Sequence, residues 1–353
     1  MAIKITGIGS YIPENTIKNS AFLKKEFKNP DGSSVADSNE LIIKKFTAIT
    51  GIEERRYADN DITCSDLATF AAKKAIKNAN IDQENLDYII VAQNFGDVKH
   101  KHTQSDAVPS IASRVKNNLG IENPSCVAYD VVFGCPGWLQ GVIHANAFIK
   151  AGIAKKCLVI GAETLSRVID PHDRDSMIFS DGAGATLIEE TNENEGGILA
   201  HEAATYSKDE AYYLTFEKSY NKDQDATTRY IKMNGRKIYN FTLSHVPDAM
   251  KACLDKSGVD IKDIKKIFLH QANEKMDDAI CERFYKLYNM EVPEHIMPMS
   301  IGKLGNNSVA TLPTLLDLVK QRHIENQELN TGDIILLASV GAGMNINAMV
   351  YQF

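Results

Sequence analysis

Cys135 stands in the run Asp130-Val131-Val132-Phe133-Gly134-Cys135-Pro136-Gly137-Trp138. A β-rich apolar stretch ends in Gly134, and the pattern that follows predicts an amphipathic helix from about Trp138 to Ile149. One sulfur is thereby expected at a strand-to-helix turn, at the positive end of a helix dipole. The dipole and free N–H groups of such a turn favour thiolate over thiol and can hold an oxyanion. The thiolate is the nucleophilic form, so covalent chemistry on an acyl group would be built here. A free cysteine is also a common small, buried, inert residue. The local sequence leaves both readings open.

Further groups with chemical potential are His270, directly after the apolar run ending at Leu269, and the turns Gly305-Asn306-Asn307-Ser308 and Gly341-Ala342-Gly343. None reads as a helix interior. Glycine and asparagine tolerate the positive φ that tight turns require. Taken singly, a histidine at a strand end is often a structural hydrogen-bonding group and an asparagine before a helix is often a turn residue. Most of the remaining histidines lie in polar or exposed-looking stretches, and the remaining cysteines read as packing. Asp181-Gly182-Ala183-Gly184 reads as a close-packing turn; no Lys-Ser/Thr follows it, as a phosphate loop would need.

The elements that must position these groups are visible in an internal repeat. Shifted by 178 residues, Ala71–Ile76 falls on Ala249–Leu254, both with helical apolar spacing. The same shift lays Tyr88–Val91 over Lys266–Leu269 and Cys157–Ile160 over Ile335–Ala338, all strand-like, and the helix after Cys135 over Pro313–Lys320. Two homologous α/β halves are expected, roughly 1–190 and 191–353, with mixed sheets covered on both faces. Equivalent strand ends from the two halves would meet at a pseudo-twofold axis, and ligands gather at strand carboxyl ends in such sheets.

Composition sets the outer bounds. With 353 residues, 44% of them apolar, the chain can bury a large core. A net charge of -7 argues against nucleic acid as the main partner. The six cysteines form no CxxC pair or His/Cys cluster, so a reduced, cytoplasmic setting is expected and no metal site. Met1–Gly7 reads as a strand and not as a signal peptide, and no apolar run reaches the ~18 residues of a membrane span.

These segments together resemble the 3-oxoacyl-acyl-carrier-protein synthase III family of thiolase-fold condensing enzymes. Gly51-Ile52-Glu53-Glu54-Arg55 is similar to the family's Gly-Ile-x-Glu-Arg, and Asp130–Gly137 resembles its nucleophile segment. Ser180–Ala185, His270-Gln271-Ala272-Asn273 and Gly305–Ser308 match three further motifs in order. The resemblance implies two α/β halves in a layered αβαβα arrangement. It also implies a triad of Cys135, His270 and Asn306, with the backbone N–H groups of Cys135 and Ala342 as the oxyanion hole. The implied reaction takes an acyl group from an acyl-CoA onto the cysteine, decarboxylates a malonyl-acyl-carrier protein, and joins the two into a 3-oxoacyl thioester. No cofactor beyond coenzyme A and phosphopantetheine thioester substrates is implied. Arg174 and Asn273 would contact coenzyme A, Lys275 would face the acidic carrier protein, and the enzyme would be a homodimer.

The chain also departs from the family pattern. The tryptophan expected to stack on adenine is absent; Trp138 is the only one. Val108 and Val340 replace two phenylalanines of the primer pocket, the first reaching across the dimer. Residues 21–37 and 94–106 look longer than usual. These changes predict a wider pocket and a longer or branched primer, unless the longer loops fold over the mouth and refill it. Two competing readings are a related ketosynthase or acyltransferase of secondary metabolism with a longer acyl primer, and a non-catalytic thiolase-fold partner subunit. The latter would be expected to lack the triad.

Overall fold

The computed structural model describes residues 1–193 and 195–353. In chain order the first part runs β1 (Ala2–Tyr11), β2 (Asn15–Lys18), α1 (Asn39–Thr50), β3 (Glu54–Tyr57), α2 (Cys64–Ala79), β4 (Tyr88–Ala92), α3 (Ile111–Leu119), β5 (Val127–Val131), α4 (Gly137–Lys150), β6 (Lys156–Thr164) and β7 (Asp181–Thr191). The second runs β8 (Gly197–Thr205), β9 (Leu214–Glu217), β10 (Tyr230–Met233), α5 (Gly235–Ser257), β11 (Ile264–Leu269), α6 (Glu274–Lys286), α7 (Ile301–Leu304), α8 (Thr311–Lys320), β12 (Ile334–Gly341) and β13 (Asn345–Gln352).

Two mixed sheets carry the fold. Their strand orders are β1-β7-β6-β4-β5 and β8-β13-β12-β11. In the first, β4 is parallel to both β5 and β6, while β7 is antiparallel to β6 and β1. In the second, β11 is parallel to β12, and β13 is antiparallel to β12 and β8. The orders correspond strand for strand, and β6 and β12 begin 178 residues apart, at Lys156 and Ile334. Beside β11, where β5 lies in the first sheet, a backbone hydrogen bond from Ile267 to Ile296 marks the edge.

Side-chain alternation explains the layering. Along β6, Leu158, Ile160 and Ala162 join the apolar cluster of α2 and α3, while Cys157 and Val159 face α4. Along β12, Leu336, Ala338 and Val340 face α5 and α6, while Ile335 and Leu337 share a cluster with α8. A strand covered on both faces needs apolar residues on both, which is why these runs are continuous and not alternating. The helices α4 and α8 therefore form a middle layer between the sheets. Eight of the ten residues of α8 are buried, as a helix covered on all sides requires. The arrangement is a thiolase-like αβαβα fold.

Two sequence expectations change here. Asp181–Gly184 is not a turn but the start of β7, although close packing is its role: a β-carbon on Gly184 would meet Pro313 and Thr314 of α8 at 2.7 Å. Residues 21–37 line no part of the main apolar cavity and instead lie against the turn before Arg174, where the Lys28 N–H donates to His172 O at 2.8 Å. Phe22 and Phe27 form a satellite core with Ile42 and Met177, with the Arg55 guanidinium 4.9 Å over the Phe22 ring.

Candidate active site

Cys135 follows β5 through Gly134, which adopts a left-handed φ of 66°, and sits just ahead of α4. Facing it is the turn after β12. A β-carbon on Gly134 would lie 2.5 Å from the Ala342 backbone nitrogen, and one on Gly341 would strike the Cys135 nitrogen. Two glycines thus let the backbones carrying the Cys135 and Ala342 N–H groups approach as no other residue would. Asn345 holds them there: its Nδ2 donates to Ala342 O at 2.8 Å and to Phe133 O at 3.2 Å.

His270 comes directly off β11, its backbone N–H donating to Ala338 O at 2.9 Å. Gln271 fixes the turn beyond, donating to Pro298 O at 2.8 Å and accepting from Ser300 N at 2.9 Å. Asn306 is clamped by the other half: its N–H donates to Ile178 O and its carbonyl accepts from Ser180 N, both at 2.8 Å. Its Oδ1 accepts from Ser308 N at 2.8 Å, which leaves the amide N–H groups as its donors into the cavity. Cys135, His270, Asn306, Ala342 and Val340 all line one cavity of about 280 Å³ with a predominantly apolar wall.

The electrostatics of the pair differ from what the helix end alone implies. Burial pushes the Cys135 thiol up to about 11, against the pull of the Ser308 hydroxyl, which donates to Sγ at 3.4 Å. Burial pushes His270 down to about 4. At neutral pH the resting pair is therefore a thiol and an uncharged imidazole. Burial prevails over the hydrogen bonds from Ser308 and the backbone, so the thiol proton must leave as the sulfur attacks.

The other residues singled out from sequence lie elsewhere. Arg174 is half-exposed on a short 3-10 turn, 3.9 Å from Asp175. Asn273 caps α6, its side chain accepting from Met276 N at 3.1 Å. Lys275 is exposed on the first turn of α6, between the exposed carboxylates Glu274 and Asp278. Val108 does not line the cavity of its own subunit; it is 86% exposed.

Sequence reasoning missed the hairpin β9–β10. It supplies Leu214, Phe216, Ile231 and Met233 to the cavity wall. Its docking depends on Lys232, buried and paired with Asp170 at 2.5 Å and Asp173 at 3.1 Å. Such a partnership across some sixty residues has no local signature. The loop after β4 is also closed down. Phe95 enters the cavity and packs on Phe216 with ring centroids 5.2 Å apart, and Arg114 ties Asp97 and Asp106 at 2.9 and 2.7 Å. Phe95 and Phe216 thus place two aromatic rings in the wall of the cavity that Val340 also lines.

A cysteine at a glycine-braced turn, a neutral histidine and an asparagine amide around an apolar cavity, on a thiolase-like fold, define a condensing enzyme of the acyltransferase class. Residues 129–207 match the 3-oxoacyl-[acyl-carrier-protein] synthase III family, and residues 254–353 match its C-terminal part. The chain is 32% identical to the beta-ketoacyl-[acyl-carrier-protein] synthase III of Oceanobacillus iheyensis over 100% of this chain and 99% of that protein. It is 33% identical to the same enzyme of Clostridium beijerinckii over 99% of each chain. Among solved structures, the 3-oxoacyl-[acyl-carrier-protein] synthase III of Aquifex aeolicus superposes with a TM-score of 0.81 at 30% identity over 100% of both chains. The chain belongs to the 3-oxoacyl-[acyl-carrier-protein] synthase III family, whose work is fatty acid biosynthesis. Among the described residues no helix is long and apolar enough to cross a membrane.

Proposed function

We propose that this condensing enzyme loads a short acyl group from coenzyme A onto Cys135 and condenses it with malonyl-acyl-carrier protein. The observation that carries this reading is that Cys135, His270 and Asn306, drawn from both halves of the fold, share one largely apolar cavity. In the first step Sγ attacks the thioester carbonyl and coenzyme A leaves with the thiol proton, which the uncharged His270 can relay. The N–H groups of Cys135 and Ala342 hold the tetrahedral oxyanion. In the second step the malonyl carboxylate departs as carbon dioxide. His270 and Asn306 donate to the enolate oxygen without delivering a full charge. The carbanion attacks the acyl-cysteine, giving the 3-oxoacyl thioester and expelling the Cys135 thiolate, which takes up one proton from solvent to restore the thiol.

The cavity volume and the paired Phe95 and Phe216 favour a primer of a few carbons, straight or branched, over a long chain. Arg174 and Asn273 are assigned to coenzyme A and the pantetheine arm, and Lys275 to the carrier. A homodimer accounts for Val108 and Val132, which are 86% and 69% exposed in the single chain although Val132 lines the cavity. The test is kcat/KM for acetyl, butyryl, isovaleryl and octanoyl thioesters with malonyl-carrier protein. A short or branched primer should lead. Octanoyl leading would give the wall to the missing aromatics and favour the longer-primer relatives.

A further inference from the structure

Asn94, two residues past the end of β4, joins three parts of the site through one amide. Its Oδ1 accepts from the Gly134 N–H at 3.1 Å. Its Nδ2 donates to Glu163 Oε1 at 2.5 Å and to Ser308 Oγ at 3.4 Å. Ser308 in turn directs its hydroxyl hydrogen to Cys135 Sγ at 3.4 Å. The Gly134 N–H can be met only by the amide oxygen, so the orientation of Asn94 is fixed and both its hydrogens are committed. Ser308 is itself held in a left-handed turn with φ of 51°, its N–H bound by Asn306.

Behind Asn94 lies Glu163, 1% exposed near the end of β6. Among the described residues no cation pairs with it; a buried, unpaired carboxyl costs stability, and a purely structural position would be better served by an apolar side chain. The titratable groups that act on it or feel it are Asp181 at the start of β7, Cys64 at the start of α2, and Cys135. Burial pushes Glu163 up to about 8.

We infer that Asn94 is a positioning residue for the nucleophile, anchored by Glu163, which holds the Gly134 turn and keeps the Ser308 hydroxyl hydrogen on the Cys135 sulfur. The inference rests on the reading of Cys135 as the acylated residue. With Asn94 in place, Ser308 Oγ already accepts one N–H, so its own hydrogen is free to point at sulfur. As the thiol loses its proton that hydrogen bond becomes charge-assisted and strengthens. Without Asn94 the hydroxyl is free to turn to other acceptors and the Gly134 N–H loses its partner.

The test is alkylation of Cys135 by iodoacetamide across pH, which needs neither acyl-CoA nor carrier. Asn94→Ala should raise the pH midpoint of alkylation and slow acylation roughly tenfold, the scale of one hydrogen bond to a charged group. Its KM for malonyl thioester should not change. Asn94→Asp keeps an acceptor for Gly134 but loses the donor to Ser308, and should shift the midpoint the same way. Ser308→Ala should match Asn94→Ala, and the double variant should add nothing to either single one. Additive shifts, or a midpoint unmoved in Asn94→Ala, would overturn the inference. Should Asn94→Ala fail to fold, Ser308→Ala alone carries the test, because loss of the donated hydrogen must move the midpoint by itself. A wild-type chain that alkylates with these variant shifts yet takes no acyl group from coenzyme A would refute the proposed substrate and leave the positioning role standing.

Discussion

Gly341→Ala should disable acylation while leaving the fold in place. Gly341 has an extended φ of -165°, which any residue adopts, so the penalty is steric and not conformational. Its added methyl would overlap the Cys135 backbone nitrogen and come within 2.8 Å of Pro136 Cδ and 3.0 Å of Cys135 Cβ. Backbone atoms and a proline ring have no rotamer to yield. Relief to an ordinary contact of ~3.5 Å requires the two turns to part by about 1 Å. That motion separates the Cys135 and Ala342 N–H groups, which converge on one oxyanion in the proposed mechanism. A misplacement of ~1 Å costs on the order of 10²-fold in rate, and loss of one oxyanion donor costs ~10²–10³-fold. Overpacking of this kind destabilises by about 1–3 kcal/mol, small enough to leave the protein folded at room temperature. Single-turnover acylation, followed by intact mass after mixing with acyl-CoA, measures the step directly, and a thermal melt measures the fold. Acylation within about threefold of wild type with an unchanged melt would mean the turns do not form the oxyanion site.

Other outcomes follow from the same geometry. His270→Ala and Asn306→Ala should each lower carbon dioxide release from malonyl thioester by ~10²–10³-fold while acylation falls less; equal loss of both steps in both variants would contradict the division of roles. Burial lowers the His270 pKa from 6.5 to about 4. The unfolded chain therefore takes up this proton first as pH falls. The contribution is intact above about pH 6.5 and lost towards pH 4, amounting to about 2 kcal/mol at pH 5. Urea unfolding at pH 7 and pH 5 should show wild type losing that much more than His270→Asn, and parallel losses would mean the imidazole is not buried neutral. Lys275→Glu should raise the KM for malonyl-carrier protein only a few-fold and in a salt-sensitive way, because exposed pairs contribute ~0.2–1 kcal/mol and Glu274 and Asp278 already flank it. The same loss on malonyl-pantetheine would place Lys275 in the pocket and not on the carrier surface.

Much of this architecture was legible because it is periodic or local. The apolar runs of β4, β6, β11 and β12 repeat at one offset, and a doubly covered strand must be apolar on both faces wherever it occurs. The turns carrying Cys135, His270, Asn306 and Ala342 announce themselves through glycine and asparagine. The illegible parts are those fixed by distant partners. The hairpin β9–β10 becomes a cavity wall because Lys232 finds Asp170 and Asp173 in the other half. Phe95 fills the pocket because Phe216 arrives from that hairpin to meet it. Helix-end reasoning at Cys135 captured the dipole but could not weigh it against burial, which depends on every neighbour at once. Asn273 shows that one side chain can serve two ends: its Oδ1 accepts from Met276 N to cap α6, a role its place before a helix announces, while its amide hydrogens stay available to a ligand.

The central claim is that Cys135 carries the acyl group through the condensation. Purified protein mixed with a short acyl-CoA should gain one acyl mass per chain, mapped by proteolysis to the Cys135 peptide. Addition of malonyl-carrier protein should then discharge that mass with one equivalent each of carbon dioxide and 3-oxoacyl-carrier. Cys135→Ala should carry no label. Labelling that persists in that variant, or an acyl-Cys135 that malonyl-carrier protein leaves untouched, would contradict it.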